Sequence, residues 1–378
     1  MIKNRSKLFY AFLLVAMSCT DKVPTSEQLT LLVTSNVRGQ LDPCGWKANP
    51  LGGLPRRLTY INQLKDSGVD PILLDAGDAL FEFNFLVDGK EASSKLRAKT
   101  VFESTAKMGN YLYNVGQNDF AAGVDFIREL ENSANNNFIS SNLVNVGTED
   151  LAFKGHTIVE RNGVKLGIFG IITNLPASIK ELEVKDPLTV INSKVKELRP
   201  QVDVLIMLIN ANKIELDKLV GETQNVDYVF SSKETSRTRP ERKQADGNPM
   251  LYGTGIQGKY LGRIDLKLVD KNKSINDITG SMMSAQLFEE RLNNLQKRNP
   301  DKPLEDVYKN NTNVLNMVQK FRNGLKESKG SMDEYTNTSF YSLISLNGNV
   351  SSEKKLLKLV DQTLKTCDTL DKESASLP

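Results

Sequence analysis

Histidine is almost absent from this chain, which has His156 alone among 378 residues. Imidazole is the usual proton carrier near neutral pH and the commonest nitrogen ligand of transition metals. A single histidine excludes a metal centre built from several imidazoles. His156 precedes a predicted strand and belongs to none of the polar motifs described below, so we expect a structural or exposed role for it.

Cysteine and net charge are scarce as well. Cys44 and Cys367, two of the three cysteines, are far apart in sequence, so the count leaves a disulfide between them open. The formal net charge is +3, and residues 1–18 carry three basic residues and no acid. Without them, 46 basic residues face 46 acidic ones. Such a balance excludes nucleic acid as a partner held by electrostatic attraction.

Apolar runs are short, and the one at Leu8–Met17 cannot span a bilayer. Basic residues precede it, as in a secretory signal peptide. The segment Ala16–Cys19 resembles a bacterial lipobox that would make Cys19 the lipid-bearing first residue. We expect a signal peptide over residues 1–18, a lipid-proximal linker over 19–27, and an exported protein anchored to the cell envelope, facing the periplasm or the surface. An ordinary secretory signal cleaved nearby is the alternative.

Residues 28–270 alternate short apolar runs with amphipathic stretches, which predicts a two-sheet α/β sandwich. Asn162-Gly163 between two apolar runs predicts a hairpin. The predicted strands are Leu29–Thr34, Pro71–Asp75, Leu112–Gly116, Phe138–Ser140, Lys165–Ile172, Val204–Ile209 and Tyr228–Phe230, and the predicted helices include Leu54–Ser67, Ala92–Met108 and Gly123–Glu131.

The pattern changes after residue 270. Apolar stripes predict a mainly helical extension over 271–370, with one helix stopped near Pro300, a second ended by Gly330 and a late strand at Thr338–Leu346. A third stripe reaches Cys367, and residues 371–378 are predicted to be a disordered tail. We interpret the stripes as core packing, with a partner surface as the alternative.

Several strands end in polar residues, which in an α/β sheet is where sites are built. The run Leu31–Val33 leads to Asn36 and Arg38, and Leu74-Asp75-Ala76-Gly77-Asp78 ends in an acid. Neither an asparagine amide nor a guanidinium is a good metal ligand or proton carrier. This strand end therefore has the position of a site without the usual chemistry of one.

Taken together, these motifs resemble the secreted 5′-nucleotidase (UshA-like) family of calcineurin-like metallophosphatases. The likeness covers roughly residues 28–268 in six blocks, of which Leu74–Asp78 is intact. The others are 34–39, where Thr-Asn-Asp-x-His-Gly is expected; 116–121, for Gly-Asn-His-Glu-Phe-Asp; 208–210, for a strand ending in Ser-His; 227–235, for the Gly-His-Thr-His segment; and the closing strand "GIQGKYLGRIDL". The resemblance implies the αββα metallophosphatase fold.

The resemblance also implies a site for two divalent ions that share a bridging aspartate, activate a water and clamp a phosphate. The bridging position is Asp78. The other ligand or phosphate-side positions carry Asn36, Arg38, Gln117, Asn118, Asn210, Lys233 and Thr235, and the assisting His–Asp pair is replaced by Asn118 and Ala121. Since none of these residues restores an imidazole, we expect no catalytic residue, no metal and no cofactor here.

Our hypothesis is that Arg38 and Lys233 replace the metal charges and give Asp78 a cationic partner, because a buried, unpaired carboxylate is costly. Other interpretations remain open at each position. Asp78 could cap a turn, Arg38 and Lys233 could be surface charges, and Asn118 and Asn210 could satisfy loops. Cys44 fits a packed thiol better than a reactive one, and the basic segment Ser236–Pro249 is a solvated loop or an anion-binding flap.

Three functions follow from this sequence. The favoured one is a catalytically inactive envelope lipoprotein, held to the membrane by lipid on Cys19, that binds a small molecule or a protein partner. The second is a residual phosphoester or nucleotide hydrolase that uses one divalent metal at Asp78. The third is a scaffold that acts through its C-terminal helices.

Overall fold

The computed structural model describes residues 27–376 except 47, 134–136, 242–243, 245–248 and 298. The signal peptide, Cys19 and most of the linker lie outside the described residues. The strands are β1 (Glu27–Thr34), β2 (Ile72–Asp75), β3 (Tyr111–Asn114), β4 (Asn137–Ile139), β5 (Leu143–Asn145), β6 (His156–Arg161), β7 (Val164–Ile172), β8 (Leu182–Val184), β9 (Val204–Ala211), β10 (Tyr228–Lys233), β11 (Met250–Gly253), β12 (Tyr260–Leu268), β13 (Ile275–Asp277) and β14 (Asn337–Ser345).

The helices pack on the sheets and on one another. They are α1 (Leu54–Asp66), α2 (Glu91–Ala106), α3 (Val124–Ser133), α4 (Pro187–Leu198), α5 (Lys213–Glu222), α6 (Thr279–Gln296), α7 (Leu304–Val307), α8 (Thr312–Asp333) and α9 (Lys354–Ala375). Among the described helices, none combines the length and the apolar character that crossing a membrane requires.

Two sheets face each other. One has the order β13-β14-β12-β1-β2-β3-β4 and the other β11-β10-β9-β7-β6. Strands β1 to β4 run parallel, as do β7, β9, β10 and β11. The predicted hairpin at Asn162-Gly163 is confirmed, because it joins the antiparallel strands β6 and β7 and both residues have positive φ.

Side-chain alternation along the strands explains the layers. Ile206 and Leu208 of β9 lie in the core between the sheets, whereas Leu205 and Met207 face a core formed with α4 and α5. All eight residues of β9 are buried, as expected for a parallel strand covered on both faces. The other sheet is covered by α1, α2 and α9. The predicted two-sheet αββα sandwich is therefore confirmed.

The predicted strands and helices are present, with ends that differ by at most three residues, and the predicted late strand is confirmed as β14. Two predictions about the C-terminal part are wrong. Helix α8 continues past Gly330 to Asp333, since one exposed glycine costs a helix only about 1 kcal/mol. Residues 371–375 form the end of α9 rather than a disordered tail, because α9 packs its apolar stripe on the layer of α1 and α2.

Helices α6 and α8 pack against each other. The Phe288 and Phe321 rings are 6.1 Å apart between centroids, and Gly324 allows this approach, since a Cβ there would lie 2.5 Å from the Phe288 ring. Val318 and Phe321 are buried. For these two members of the α8 stripe, the interpretation as core packing is confirmed.

Candidate functional site

The polar residues predicted from the strand ends meet at one edge of the sandwich. The segments after β1, β2 and β3 supply Asn36, Asp78 and Asn118, and the opposite sheet supplies Asn210 from β9 and Lys233 from β10. Hydrogen bonds link the segments, as between the Asn118 N–H and Asp78 Oδ1 at 2.8 Å. The structure therefore brings together residues as far apart in sequence as Asn36 and Lys233, which are separated by 197 positions.

Backbone strain marks the same edge. Asn36, Arg38, Asp78 and Lys233 have φ values of 50°, 56°, 56° and 66°. Residues other than glycine and asparagine rarely adopt this left-handed backbone conformation. Residues that do adopt it are concentrated at functional sites. The backbone at these four positions is held by tertiary contacts, including the Arg38 N–H to Asp78 O bond at 3.0 Å.

The Asp78 carboxyl group is buried at the centre, with 1% of the residue exposed. Burial raises the pKa of Asp78 above its ordinary value. The hydrogen bonds from the Asn118 backbone and the Asn210 side chain act in the opposite direction. Asp78 thus caps the turn that begins at Asn118, and the capping interpretation is compatible with its central place in the site.

Arg38 and Lys233 act on Asp78 through space. Both positive charges lower the pKa of Asp78, although less than burial raises it. Neither side chain is among the ion pairs within 4.0 Å in the described part of the chain. The two positive charges therefore act on Asp78 from a distance. Among the described residues, neither Arg38 nor Lys233 forms a direct ion pair with Asp78.

The buried amides serve as braces. Asn36 donates from Nδ2 to Glu234 O at 3.0 Å and Gly255 O at 3.1 Å, and its Oδ1 accepts the Lys233 N–H at 2.8 Å. All polar atoms of this side chain are thereby used inside the protein. Asn36 joins β1 of one sheet to the end of β10 in the other.

Asn210 has a similar role. Its Oδ1 accepts the Gln117 N–H at 3.1 Å, and its Nδ2 donates to Ser232 Oγ at 2.7 Å. Ser232 in turn donates to Ala76 O at 2.7 Å. This chain of bonds connects β9 and β10 with the segments after β2 and β3, a connection that the sequence did not indicate for Ser232.

The other predicted positions lie at the border of the site. The Gln117 amide donates to Leu175 O at 3.4 Å, and the Asn118 amide donates to Glu82 O at 2.8 Å. Thr235 is exposed and lines a separate cavity with Cys44 and Trp46. The structure therefore does not bring Thr235 into contact with Asp78.

Two buried acids support the site, and the sequence analysis did not assign them a role. Asp119 accepts the N–H groups of Asp78 and Gly116 on Oδ2, at 3.0 and 2.8 Å, and that of Leu80 on Oδ1 at 2.8 Å. Burial and the charge of Asp78 raise the pKa of Asp119 well above its usual range. The adjacency of Asp119 to Asn118 in the third block was the available signal.

The second acid, Asp75, accepts hydrogen bonds from the Thr34 hydroxyl at 2.5 Å and the Gly77 N–H at 2.9 Å. Burial raises the pKa of Asp75 to about 7, although the hydrogen bonds and the charge of Arg57 act against it. Both acids shape the backbone that presents Asp78.

The residues present do not fit a pair of divalent metal ions. The described residues contain no group of three or more His, Cys, Asp and Glu side chains placed to hold a metal. Mg²⁺ and Mn²⁺ require several oxygen ligands, and Zn²⁺ also favours imidazole or thiolate. Here the neighbours of Asp78 are amides already hydrogen-bonded to the protein and the charges of Arg38 and Lys233.

The remaining candidates lie elsewhere. His156 is half-buried on β6, with its Nδ1 3.7 Å from Glu197 Oε1. Cys44 and Cys367 are both free thiols, which answers the open question of their pairing. Cys44 Sγ lies 3.4 Å from Gln257 Oε1, and burial raises the pKa of this thiol, as for a packed cysteine.

Solved structures share this architecture. The calcineurin-like phosphoesterase YfkN of Bacillus subtilis superposes with a TM-score of 0.59 over 92% of this chain and 100% of its own, at 16% identity. The fold is that of the calcineurin-like metallophosphatases. A 5′-nucleotidase precursor of Thermus thermophilus gives a TM-score of 0.54 at 19% identity over 65% of this chain and 52% of its own.

The sequence comparison agrees with this fold. A 5′-nucleotidase of Vibrio parahaemolyticus is 24% identical over 222 residues, 55% of this chain, and one of Vibrio vulnificus is 24% identical over 187 residues, 46% of this chain. The aligned segments cover only 33% and 32% of those relatives. No protein-family model matches. The resemblance to 5′-nucleotidase-like metallophosphatases is confirmed.

Proposed function

We propose that this metallophosphatase-like protein is catalytically inactive and works by binding a ligand without metal. The observation that carries the proposal is the surroundings of Asp78. Asp78 Oδ1 accepts the Asn118 N–H at 2.8 Å, and the positive charges of Arg38 and Lys233 act on Asp78. The Asn210 side chain is hydrogen-bonded to Gln117 and Ser232. The amide groups that would have to turn toward a metal are already engaged within the protein.

Electrostatics supports the same proposal. Two divalent ions about 4 Å apart, at an effective dielectric constant of about 20, repel by roughly 16 kcal/mol, which several anionic ligands must offset. Asp78 supplies one carboxylate whose pKa is already raised by burial. Arg38 and Lys233 would add to the repulsion instead of reducing it.

The test is elemental analysis of the purified protein after incubation with Mn²⁺ and Zn²⁺, with a phosphoesterase assay on the same sample. We expect substoichiometric metal and no turnover above that of Asp78→Asn. The matched control is Asp361→Asn on the exposed face of α9. Tightly bound metal together with turnover lost only in Asp78→Asn would instead establish a one-metal phosphoester hydrolase.

We also propose that the protein is an exported lipoprotein. The support is the basic, apolar and lipobox-like pattern that ends at Cys19. Cys19→Ala should move the protein from the membrane fraction to the soluble fraction, and mass spectrometry of the native N-terminus should find an acylated Cys19. An unmodified N-terminus at another residue would instead establish an ordinary secretory signal.

The ligand-binding surface in this proposal is the remodelled cleft rather than the C-terminal helices. The α8 stripe is used in packing on α6, with Val318 and Phe321 buried. A cavity lined by charged side chains lies beside the cleft at Arg38.

A further inference from the structure

A cavity of about 470 Å³ adjoins the site on the side of Arg38. Its walls come from the segment after β1, the segment between β2 and α2, the first half of α2, and Asp371 near the end of α9. The charged side chains that line it are Arg38, Glu82, Lys90, Arg97 and Asp371. Its volume lies within the range of small-molecule sites in proteins, roughly 300–1,000 Å³.

Among the described residues, none of these five charged side chains has an opposite charge within 4.0 Å. Arg97 also lies beside the Cys367 thiol. Three cations and two carboxylates therefore line one cavity, with Glu82 and Lys90 exposed and the other three half-buried.

Two of the lining residues each carry a polar atom that is buried and makes no hydrogen bond in the structure. One is a donor, Nε of Arg38, and the other is an acceptor, Oδ1 of Asp371. Buried polar atoms in folded proteins nearly always have partners, so an unpaired donor and an unpaired acceptor on two residues that line one cavity favour an occupant that bonds to both residues. That occupant must accept a hydrogen bond at one end and donate one at the other.

The rim of the cavity is aromatic. Phe83 and Phe85 line it with their rings stacked, 5.5 Å apart between centroids and 15° from parallel. They are 44% and 59% exposed. Exposed neighbouring aromatic rings at a cavity mouth offer an apolar contact to a ligand.

We propose that this cavity binds a small zwitterion with an apolar group, of the chemical class of apolar α-amino acids. Its carboxylate accepts from Arg38, with Arg97 and Lys90 adding positive charge, and its ammonium donates to Asp371. The apolar group contacts Phe83 and Phe85. A purely anionic ligand would leave the Asp371 oxygen without a donor.

The proposal rests on the proposed function in one respect, since it uses Arg38 as a ligand-binding cation of a metal-free cleft. The two are tested separately. Metal content and phosphoesterase activity decide the proposed function, whereas ligand affinity measured without metal decides the present proposal.

The experiment is isothermal titration calorimetry of the full mature chain with four probes at millimolar concentrations. L-phenylalanine has all three features, hydrocinnamate lacks the ammonium, phenethylamine lacks the carboxylate, and L-alanine lacks the ring. We expect L-phenylalanine to bind with the highest affinity and each deletion to weaken binding about tenfold or more, as for loss of a charged hydrogen bond or of an aromatic contact.

Variants assign the contacts. Asp371→Asn should weaken L-phenylalanine about tenfold and leave hydrocinnamate unchanged, and Arg38→Met should weaken both. Asp361→Asn on the exposed face of α9 and Arg128→Gln on α3 are the matched controls, and thermal unfolding verifies that every variant is folded. No binding of L-phenylalanine, equal affinity for hydrocinnamate, or unchanged affinity in Asp371→Asn would overturn the proposal and leave water as the occupant.

Discussion

Asp119 holds the backbone of Asp78 in place: its Oδ2 accepts the Asp78 N–H at 3.0 Å while the neighbouring Gly116 N–H donates to the same atom at 2.8 Å. The two carboxyl groups have different tasks. The Asp119 carboxyl group fixes the loop that follows β2, and the Asp78 carboxyl group accepts the Asn118 N–H at 2.8 Å. The backbone of Asp78 has a φ of 56°. The buried Asp119 carboxyl group stabilises this strained conformation by accepting the Asp78 N–H.

Gly116 should be irreplaceable for a steric reason. A Cβ there would lie 2.3 Å from both N and Oδ1 of Asp78 and 2.9 Å from Nδ2 of Asn210. We expect Gly116→Ala to lower the free energy of unfolding by about 2 kcal/mol or more. Urea unfolding measures this, with Gly221→Ala as the control, since it has open space on α5 and should be neutral or stabilising. Equal stability of Gly116→Ala and wild type would contradict the described packing.

Asn210 should matter for stability more than its neutral side chain suggests. Asn210→Ala leaves the partly buried Gln117 N–H without its acceptor and the buried Ser232 hydroxyl with Ala76 O as its remaining partner, which predicts a loss of about 1–3 kcal/mol in the free energy of unfolding. Asn192 on the exposed face of α4 provides the control, because Asn192→Ala removes no buried contact. A loss no larger than in that control would show that Asn210 is not a brace.

Lys233 and Asp78 should be coupled thermodynamically. Because the Lys233 charge lowers the pKa of Asp78, Lys233→Met should destabilise the protein near neutral pH, by about 1 kcal/mol or less for a partly exposed charge. In an Asp78→Asn background this loss should shrink, and a double-mutant cycle measures the difference. The charge also lowers the pKa of Glu215, and that effect persists in both backgrounds. Additive losses would contradict a role for Lys233 at Asp78.

Asp75 should give stability a particular pH dependence. Its pKa is raised to about 7 in the folded protein, so between about pH 4 and 7 the folded state keeps a proton that the unfolded chain has lost. The free energy of unfolding should therefore fall as pH rises through this window, by at most about 1.4 kcal/mol per pH unit for one group.

In Asp75→Asn the fall should be smaller but still present, because the pKa values of Asp78 and Asp119 are raised too. Urea unfolding at a series of pH values measures the slope, and Asp361→Asn should keep the wild-type slope. An unchanged slope in Asp75→Asn would show that Asp75 is ionised throughout.

The sequence predicted the sandwich and the strand ends well because both depend on local patterns. Apolar runs such as Val204–Ile209 and the polar residues after them can be identified without knowing their partners. The use of Asn36 and Asn210 as braces was not predictable, since it depends on backbone groups from the opposite sheet. The side chain of Arg38 was equally hard to place, because a positive φ turns the loop in a way that residue type alone does not indicate.

The end of α9 was also not predictable from the sequence. The polar sequence after Cys367 has the composition of a tail, yet α9 continues through it to Ala375, beyond the apolar stripe that packs on the layer of α1 and α2. Asp371 therefore reaches the cavity beside Arg38, although the two are 333 positions apart in sequence.

The left-handed backbone at residues 36, 38, 78 and 233 also restricts which substitutions these positions tolerate. Branching at Cβ makes that conformation costly, whereas glycine and asparagine adopt it readily. In a library randomised at these four codons and sorted for folded molecules, valine, isoleucine and threonine should be depleted at each one. The functional groups at this edge of the sandwich are therefore easier to replace by mutation than its backbone conformation.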